Sequence, residues 1–239
     1  MMTMKGVRWI GAGAAVTAIA GLGYAARTWY RYGRVPKDEG SRLLLDRFMP
    51  DCEARERHEA QVAAPAAFTY AAAREMDILR SPVVRGIFRG RELLMGVEHT
   101  DDASSAMALI DRVLALGWRI LAEEPGHEIV LGAVTRPWER TPRFESVPPA
   151  DFAAFAEPGY VKIAWNLSAE ATGPEESTFR TETRAIATDA FARKRFRAYW
   201  AMVSPGIVLI RRESLRLVRA AAERRYRAER ERAVPVSVG

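Results

Sequence analysis

Three histidines, a single cysteine and one run of alternating charges are the residues of this 239-residue chain that acid–base, nucleophilic or metal chemistry would draw on. His58, His99 and His127 are scattered. No two share the spacing that pairs imidazoles on one helical face, and none belongs to a nucleophile elbow. They read as surface or structural histidines. Cys52, alone, excludes an intramolecular disulfide and a Cys-rich zinc site. Arg180-Thr-Glu182-Thr-Arg184 places an acid between two cations on one face of a strand. Flanking guanidinium groups hold such an acid ionised, which is the opposite of what a general acid requires. The stretch therefore reads as a solvated cross-strand charge ladder. No catalytic residue, metal or cofactor is expected.

Nucleotide chemistry is suggested by Gly11-Ala-Gly-Ala-Ala-Val-Thr-Ala-Ile-Ala-Gly-Leu-Gly23, which follows Val7-Arg8-Trp9-Ile10 as a phosphate loop follows a strand. The third glycine of that fingerprint is replaced by Val16, and the preceding strand carries Arg8. The acidic residue expected about 20 residues further on falls in Arg27-Thr-Trp-Tyr-Arg-Tyr-Gly-Arg34. The run reads instead as a membrane segment. Trp9 to Ala26 is free of charge, and 18 residues of helix at 1.5 Å each give about 27 Å, just short of a ~30 Å hydrocarbon layer. Trp9 at one end, and Trp29, Tyr30 and Arg31 at the other, are the aromatic and cationic anchors of an interface. The basic residues Arg27, Arg31, Arg34 and Lys37 follow the span, which puts the body in the cytoplasm. The alternative is export after cleavage at Gly23-Tyr24-Ala25.

The remaining length suffices for one domain with its own core. The expected organisation is an N-terminal transmembrane anchor or uncleaved signal over 1–34, a linker with a short helix over 35–52, one domain over 53–232 and a disordered tail over 233–239. The net charge of +6 rests on arginine, with only four lysines, a usage typical of GC-rich bacterial coding.

Glu56–Val62 reads as a strand, with Pro65 then starting a helix from Ala66 to Arg74. A second helix runs from Ser81-Pro82 to Leu94, followed by a polar loop over Gly96–Ser105. Gly117–Glu124 and His127–Thr135 form a hairpin about Pro125-Gly126. Tyr160–Ser168 alternates cleanly, and Gly173-Pro174 turns it into Ser177–Ala187. Asp189 caps a helix whose stripe is Ala192, Phe196, Tyr199, Trp200 and Val203. Ser204-Pro205-Gly206 is expected to kink or restart that helix, which then runs on to about Arg232.

The order is α+β, with a long C-terminal helix laid across a curved antiparallel sheet. Three segments carry a resemblance to a known superfamily: Glu56–Arg74 with Pro65; Phe179-Arg-Thr-Glu-Thr-Arg184 running into Thr188-Asp189; and Phe196-Arg-Ala-Tyr-Trp200 through Pro205-Gly206 to Ile210-Arg-Arg212. Over roughly Glu53 to Arg224 the chain resembles the START-like helix-grip (SRPBCC) superfamily, whose members include lipid-transfer domains and polyketide cyclases. It departs from that pattern in the N-terminal anchor and in the Arg136–Glu157 insertion, which leaves the strand count open.

The resemblance implies a cavity between sheet and helix that holds an apolar small molecule or lipid. The small Thr181, Thr183 and Ala185, opposite Phe196 and Trp200, leave room for one, with Trp118 and Trp165 as further lining. Rings that simply fill the gap are the alternative. The expected function is a membrane-anchored binding domain without covalent chemistry. Its alternatives are a cyclase- or dehydratase-like enzyme in the same cavity, or a scaffold acting through its basic helix. Nine arginines between Arg211 and Arg232, among them Arg224, Arg225 and Arg227, stand against four glutamates. That helix would contact anionic lipid at roughly 1 kcal/mol per close basic residue, unless Glu/Arg pairs solvate it. The interspersed glutamates argue against nucleic acid.

Overall fold

The structure, a computed structural model, describes residues 23–35, 43–95 and 107–233. Trp9, most of the apolar run Trp9–Ala26 and the polar loop at Gly96–Ser105 lie outside the described residues. No helix among the described residues is long and apolar enough to cross a membrane. What is described of the expected anchor is a helix over 23–31, here α1, which packs onto the domain.

After α1 come a single turn, α2 (Leu45–Phe48), the strand β1 (Ala54–Val62), α3 (Ala66–Arg74), a 3-10 turn at Ile78–Arg80 and α4 (Pro82–Met95). The helix α5 (Leu109–Ala115) leads into the hairpin β2 (Arg119–Glu124) and β3 (Glu128–Thr135). The long insertion contributes β4 (Phe144–Glu145) and α6 (Pro149–Phe152). It is followed by β5 (Val161–Gly173), β6 (Glu176–Ala187) and α7 (Ala190–Ala233). Every strand pair is antiparallel, in the order β1-β6-β5-β3-β2, with β4 added beside β3. The insertion thus raises the strand count to six.

The alternation read in β5 sorts its residues onto two faces. Trp165 and Leu167 turn inward to α7 and α3, in a core with Ile129, Leu131, Phe179, Val218 and Ala222. Ala164, with Val130 and Val134, turns outward against Phe48, Met49 and Phe152. Because both faces are covered, β3 is buried along its whole length, which explains its near-continuous apolar run. Gly132 is required there. A Cβ at that position would lie 2.5 Å from Leu121 Cδ1 and 2.8 Å from Phe152 Cε2, so the missing side chain is what admits Phe152. At Gly117 the backbone has φ of +104°, and a Cβ would collide with the Phe144 carbonyl, a position where only glycine fits without strain.

The capping expectation for α7 holds: Asp189 Oδ1 accepts from the Ala192 N–H at 2.6 Å. The expected kink or restart does not occur as a break. The helix runs through Pro205 for 44 residues, about 66 Å at 1.5 Å per residue. Pro205 leaves the Ala201 carbonyl without its usual N–H, and the Ser204 hydroxyl approaches that oxygen at 3.4 Å.

Candidate functional site

On the inner face, β6 presents Thr181 and Thr183, both buried. Trp165 stands opposite Thr183 in the β5 register, and its Nε1–H donates to Thr181 Oγ1 at 2.8 Å. Thr181 Oγ1 in turn donates to the Asn166 carbonyl at 3.0 Å. Across this pair lies Arg211 of α7. Its Nη1 donates to Thr181 Oγ1 at 2.7 Å and its Nη2 to Thr183 Oγ1, while its guanidinium carbon sits 5.1 Å from the centre of the Trp165 ring. Thr181 thereby uses both lone pairs and its proton. Desolvation pushes the Arg211 pKa down to about 10, with Glu56 pulling it back up. Among the described residues no carboxylate contacts this cation, so two neutral hydroxyls and a ring face hold it.

Sequence reasoning missed Arg211 by counting it with the outer basic residues of the C-terminal helix. Its spacing gives it away. The inward positions of α7 are Phe196, Trp200, Ser204, Ile207, Arg211, Ser214, Val218 and Ala222, steps of three and four that place Arg211 on the packed stripe.

The same face of β1 carries Glu56 opposite Thr183 and His58 opposite Thr181. Tyr24 of α1 donates its hydroxyl to Glu56 Oε1 at 3.0 Å. Burial, then the Glu56 charge, pushes the Tyr24 pKa up to about 12. His58 Nε2 lies 3.5 Å from Glu56 Oε2 and makes no hydrogen bond.

The residues expected to line the cavity fall into two groups. Trp165, Thr181 and Thr183 come together around Arg211, and Trp118 meets Trp165 edge to face at 6.5 Å and lies tilted to Phe144 at 5.5 Å. Phe196 and Trp200 belong to a separate cluster with Ala54, Ala185, Ala187 and Tyr32. What fills the space opposite the small threonines is Arg211 rather than those rings. Of the expected anchor residues, Trp29 lies under Arg197, whose guanidinium carbon is 4.3 Å from the ring centre and whose Nε donates to the Trp29 carbonyl at 3.0 Å. Tyr30 is 70% exposed, and Arg31 is exposed beside the domain.

Between α1 and β1 runs an open cleft of about 380 Å³, bordered by Arg27, Arg31, Arg34, Glu53, Arg57 and Trp200. It reaches Glu56, and so adjoins the Arg211 cluster.

The outer face of β6 corrects the reading of Arg180, Glu182 and Arg184 as a solvated ladder. Arg180 does pair with Glu59 at 3.1 Å near the surface, but Glu182 and Arg184 are buried. Arg184 donates to Glu182 Oε1 at 2.6 Å, Asp46 Oδ1 at 2.7 Å and the Met49 carbonyl at 2.7 Å. Burial alone would lower its pKa, and the two carboxylates outweigh that and raise it. Asn166 joins the network, donating to Glu128 Oε1 at 2.7 Å, while Glu128 Oε2 takes the Leu44 N–H at 2.8 Å. The segment around α2 is thereby fastened over the sheet. Burial also pushes the Cys52 thiol up to about 11, against the pull of Arg184 and Arg55.

The far end of α7 is tied to the domain. Tyr226 packs edge to face on Phe68 at 5.3 Å, Arg225 pairs with Glu75 at 2.7 Å and Arg230 with Glu175 at 3.2 Å. Among the described residues no three His, Cys, Asp or Glu side chains converge as metal ligands.

The class that these elements define is an α+β domain with a curved six-stranded antiparallel sheet against a long C-terminal helix. No protein-family profile matches the sequence, and no curated protein matches it. Among solved structures, the chain is similar to the Zhui aromatase/cyclase from Streptomyces sp. R1128, with 15% identity over 74% of this chain and 97% of that one, at a TM-score of 0.28. It is similar to the di-domain ARO/CYC BexL, with 13% identity over 71% of this chain and 46% of that one, at 0.29. A protein from Thermus thermophilus aligns at 10% identity over 74% and 99% of the two chains, at 0.27.

Proposed function

We propose that this chain is a binding domain for an amphipathic small molecule or lipid that carries an acidic group, held at a membrane by the run Trp9–Ala26. One observation carries the reading: Arg211 is inserted between sheet and helix with only neutral hydroxyls and an indole face as partners. A desolvated cation with no described carboxylate in contact, Glu56 acting on it only from a distance, is costly, and a ligand acid on its remaining N–H donors would offset that cost. Trp118 and Trp165 supply the apolar wall. The basic end of α7 facing anionic lipid belongs to the same proposal.

The test is a titration of the full chain with decanoate and with methyl decanoate, read by tryptophan emission. The acid is expected to bind at least about tenfold more tightly, the worth of one charge-assisted hydrogen bond, and Arg211→Met to abolish that preference. Equal binding of acid and ester, or binding of neither, would sink the reading.

A second reading rests on Glu56 and His58, a largely buried acid–imidazole pair on the inner face. It is a dehydratase- or cyclase-like enzyme in which His58 moves a proton and Glu56 orients it. Substrate-analogue turnover that survives both Glu56→Gln and His58→Gln would remove it.

A further inference from the structure

The cleft between α1 and β1 is a concave site with Tyr24 and Glu56 in its lining. Five arginines border it: Arg27 and Arg31, one turn apart on α1; Arg34, just past the end of that helix; and Arg55 and Arg57 on one face of β1. Arg57 faces Glu59 at 3.8 Å and Glu182 at 4.0 Å, and the two carboxylates that border the cleft itself, Glu53 and Glu56, are already engaged. Glu53 Oε2 accepts from the Tyr32 hydroxyl at 2.7 Å and the Ala187 N–H at 3.1 Å, and its Oε1 pairs with Arg193. Glu56 is held by Tyr24. Arg27, Arg31 and Arg34 contact no carboxylate of another described residue.

The wall that carries these arginines is fixed in place. The Gly33 N–H donates to the Glu53 carbonyl, just before β1, at 2.7 Å, Arg197 clasps Trp29 by ring and carbonyl, and Tyr32 packs edge to face on Phe196 at 6.0 Å. A backbone fixed in this way keeps the three arginines on one wall, so that an anion orders only their side chains.

We propose that this cleft binds a phosphate-bearing ligand, with Arg27, Arg31 and Arg34 as the clamp and Trp200 against the ligand's organic portion. Charge decides for phosphate over a carboxylate. Arg27, Arg31 and Arg34 border the cleft with no described carboxylate in contact, three formal positive charges that a monoanion would satisfy poorly and a phosphomonoester, taken bidentately, satisfies well. Size decides for a headgroup-scale ligand: 380 Å³ lies at the small end of the ~300–1,000 Å³ of small-molecule pockets, too little for a whole lipid. A free phosphate ester and the headgroup of an anionic phospholipid share this chemistry.

The test uses the full chain in phosphatidylcholine nanodiscs, titrated with glycerol 3-phosphate and with glycerol as the neutral control, followed by tryptophan emission. Saturable binding of the phosphate alone is expected. It should weaken at least about tenfold in R27Q/R31Q and recover in part in R27K/R31K, which keeps charge without the planar fork. Discs containing phosphatidate then separate the sources. A lower apparent affinity for added glycerol 3-phosphate assigns the cleft to the lipid headgroup, and an unchanged affinity assigns it to a free ester. Binding that R27Q/R31Q leaves intact, or no response to glycerol 3-phosphate with phosphatidate discs behaving as phosphatidylcholine ones, overturns the proposal. The preference for decanoate over methyl decanoate reads the Arg211 site separately, so failure here is distinct from failure of that reading.

Discussion

Arg184, on β6 itself, and Arg211, reaching β6 from α7, lie on opposite faces of the sheet, and the surroundings treat the same side chain in opposite ways. Arg184 has two carboxylates and a carbonyl at hydrogen-bond distance, and its pKa rises. Arg211 has two hydroxyls and a ring, and its pKa falls to about 10. Burial pulls both down, so the difference lies in the counter-charge. A buried arginine with its acids supplied is a fastening. One with no described carboxylate in contact is where, on the function proposed above, a ligand would bring the charge.

Replacing Arg184 tests the fastening and carries the largest expected effect. Arg184→Met strands the wholly buried Glu182 carboxylate and should cost about 3–5 kcal/mol in urea denaturation. Faster hydrogen exchange at Leu44 and Met49 should accompany it. A loss under about 1 kcal/mol would mean that the outer network holds nothing.

Thr181→Val keeps the shape but removes the acceptor that serves both Trp165 and Arg211. The expected cost is about 1–3 kcal/mol, with a shift in tryptophan emission, and an unchanged spectrum would contradict the shared acceptor.

Arg211→Met should change stability by less than about 1 kcal/mol, or raise it, because a desolvated cation leaves and an apolar chain of similar length replaces it. A penalty equal to that of Arg184→Met would erase the contrast between the faces.

The smallest effect is one of pH. The folded pKa of Tyr24, about 12, lies above its ordinary value of 10.0, so its contribution is whole below pH 10 and declines as pH rises toward 12. Arg211, lowered from 12.5 to about 10, works the other way: its penalty is full below pH 10 and is relieved above. The thermal midpoint of R211M should therefore fall more steeply above pH 10 than that of the unaltered chain. Y24F should flatten the fall, and identical profiles would argue against both assignments.

Much of the architecture was legible because it is local. Pro65 at the start of α3, the β2–β3 hairpin, the alternation of β5 and the Asp189 cap each follow from a few neighbouring residues. The outer face was not. Arg180, Glu182 and Arg184 alternate as solvent-facing residues do, and nothing nearby in sequence announces that Asp46 and Met49 cover two of the three. Strand register places Trp165 beside Thr181 and Thr183, while Trp118, just before β2, reaches Trp165 only through its ring. The occupant of their space was missed because arginine on a helix suggests surface, although the three- and four-residue steps of α7 put Arg211 inside.

The strand β1 lies at an edge of the sheet, and its one strand partner among the described residues, β6, lies far along the chain: Gln61 bonds Thr178 across 117 residues. During synthesis β1 thus emerges long before anything exists to pair with it. Loop closure of that length makes the pairing a slow, late event, and an unpaired strand is an invitation to aggregate. The sequence of β1 answers that hazard. Arg55, Glu56, Arg57, His58 and Glu59 make its first half almost wholly ionisable, a nascent-chain gatekeeper that keeps the strand in water until β6 arrives.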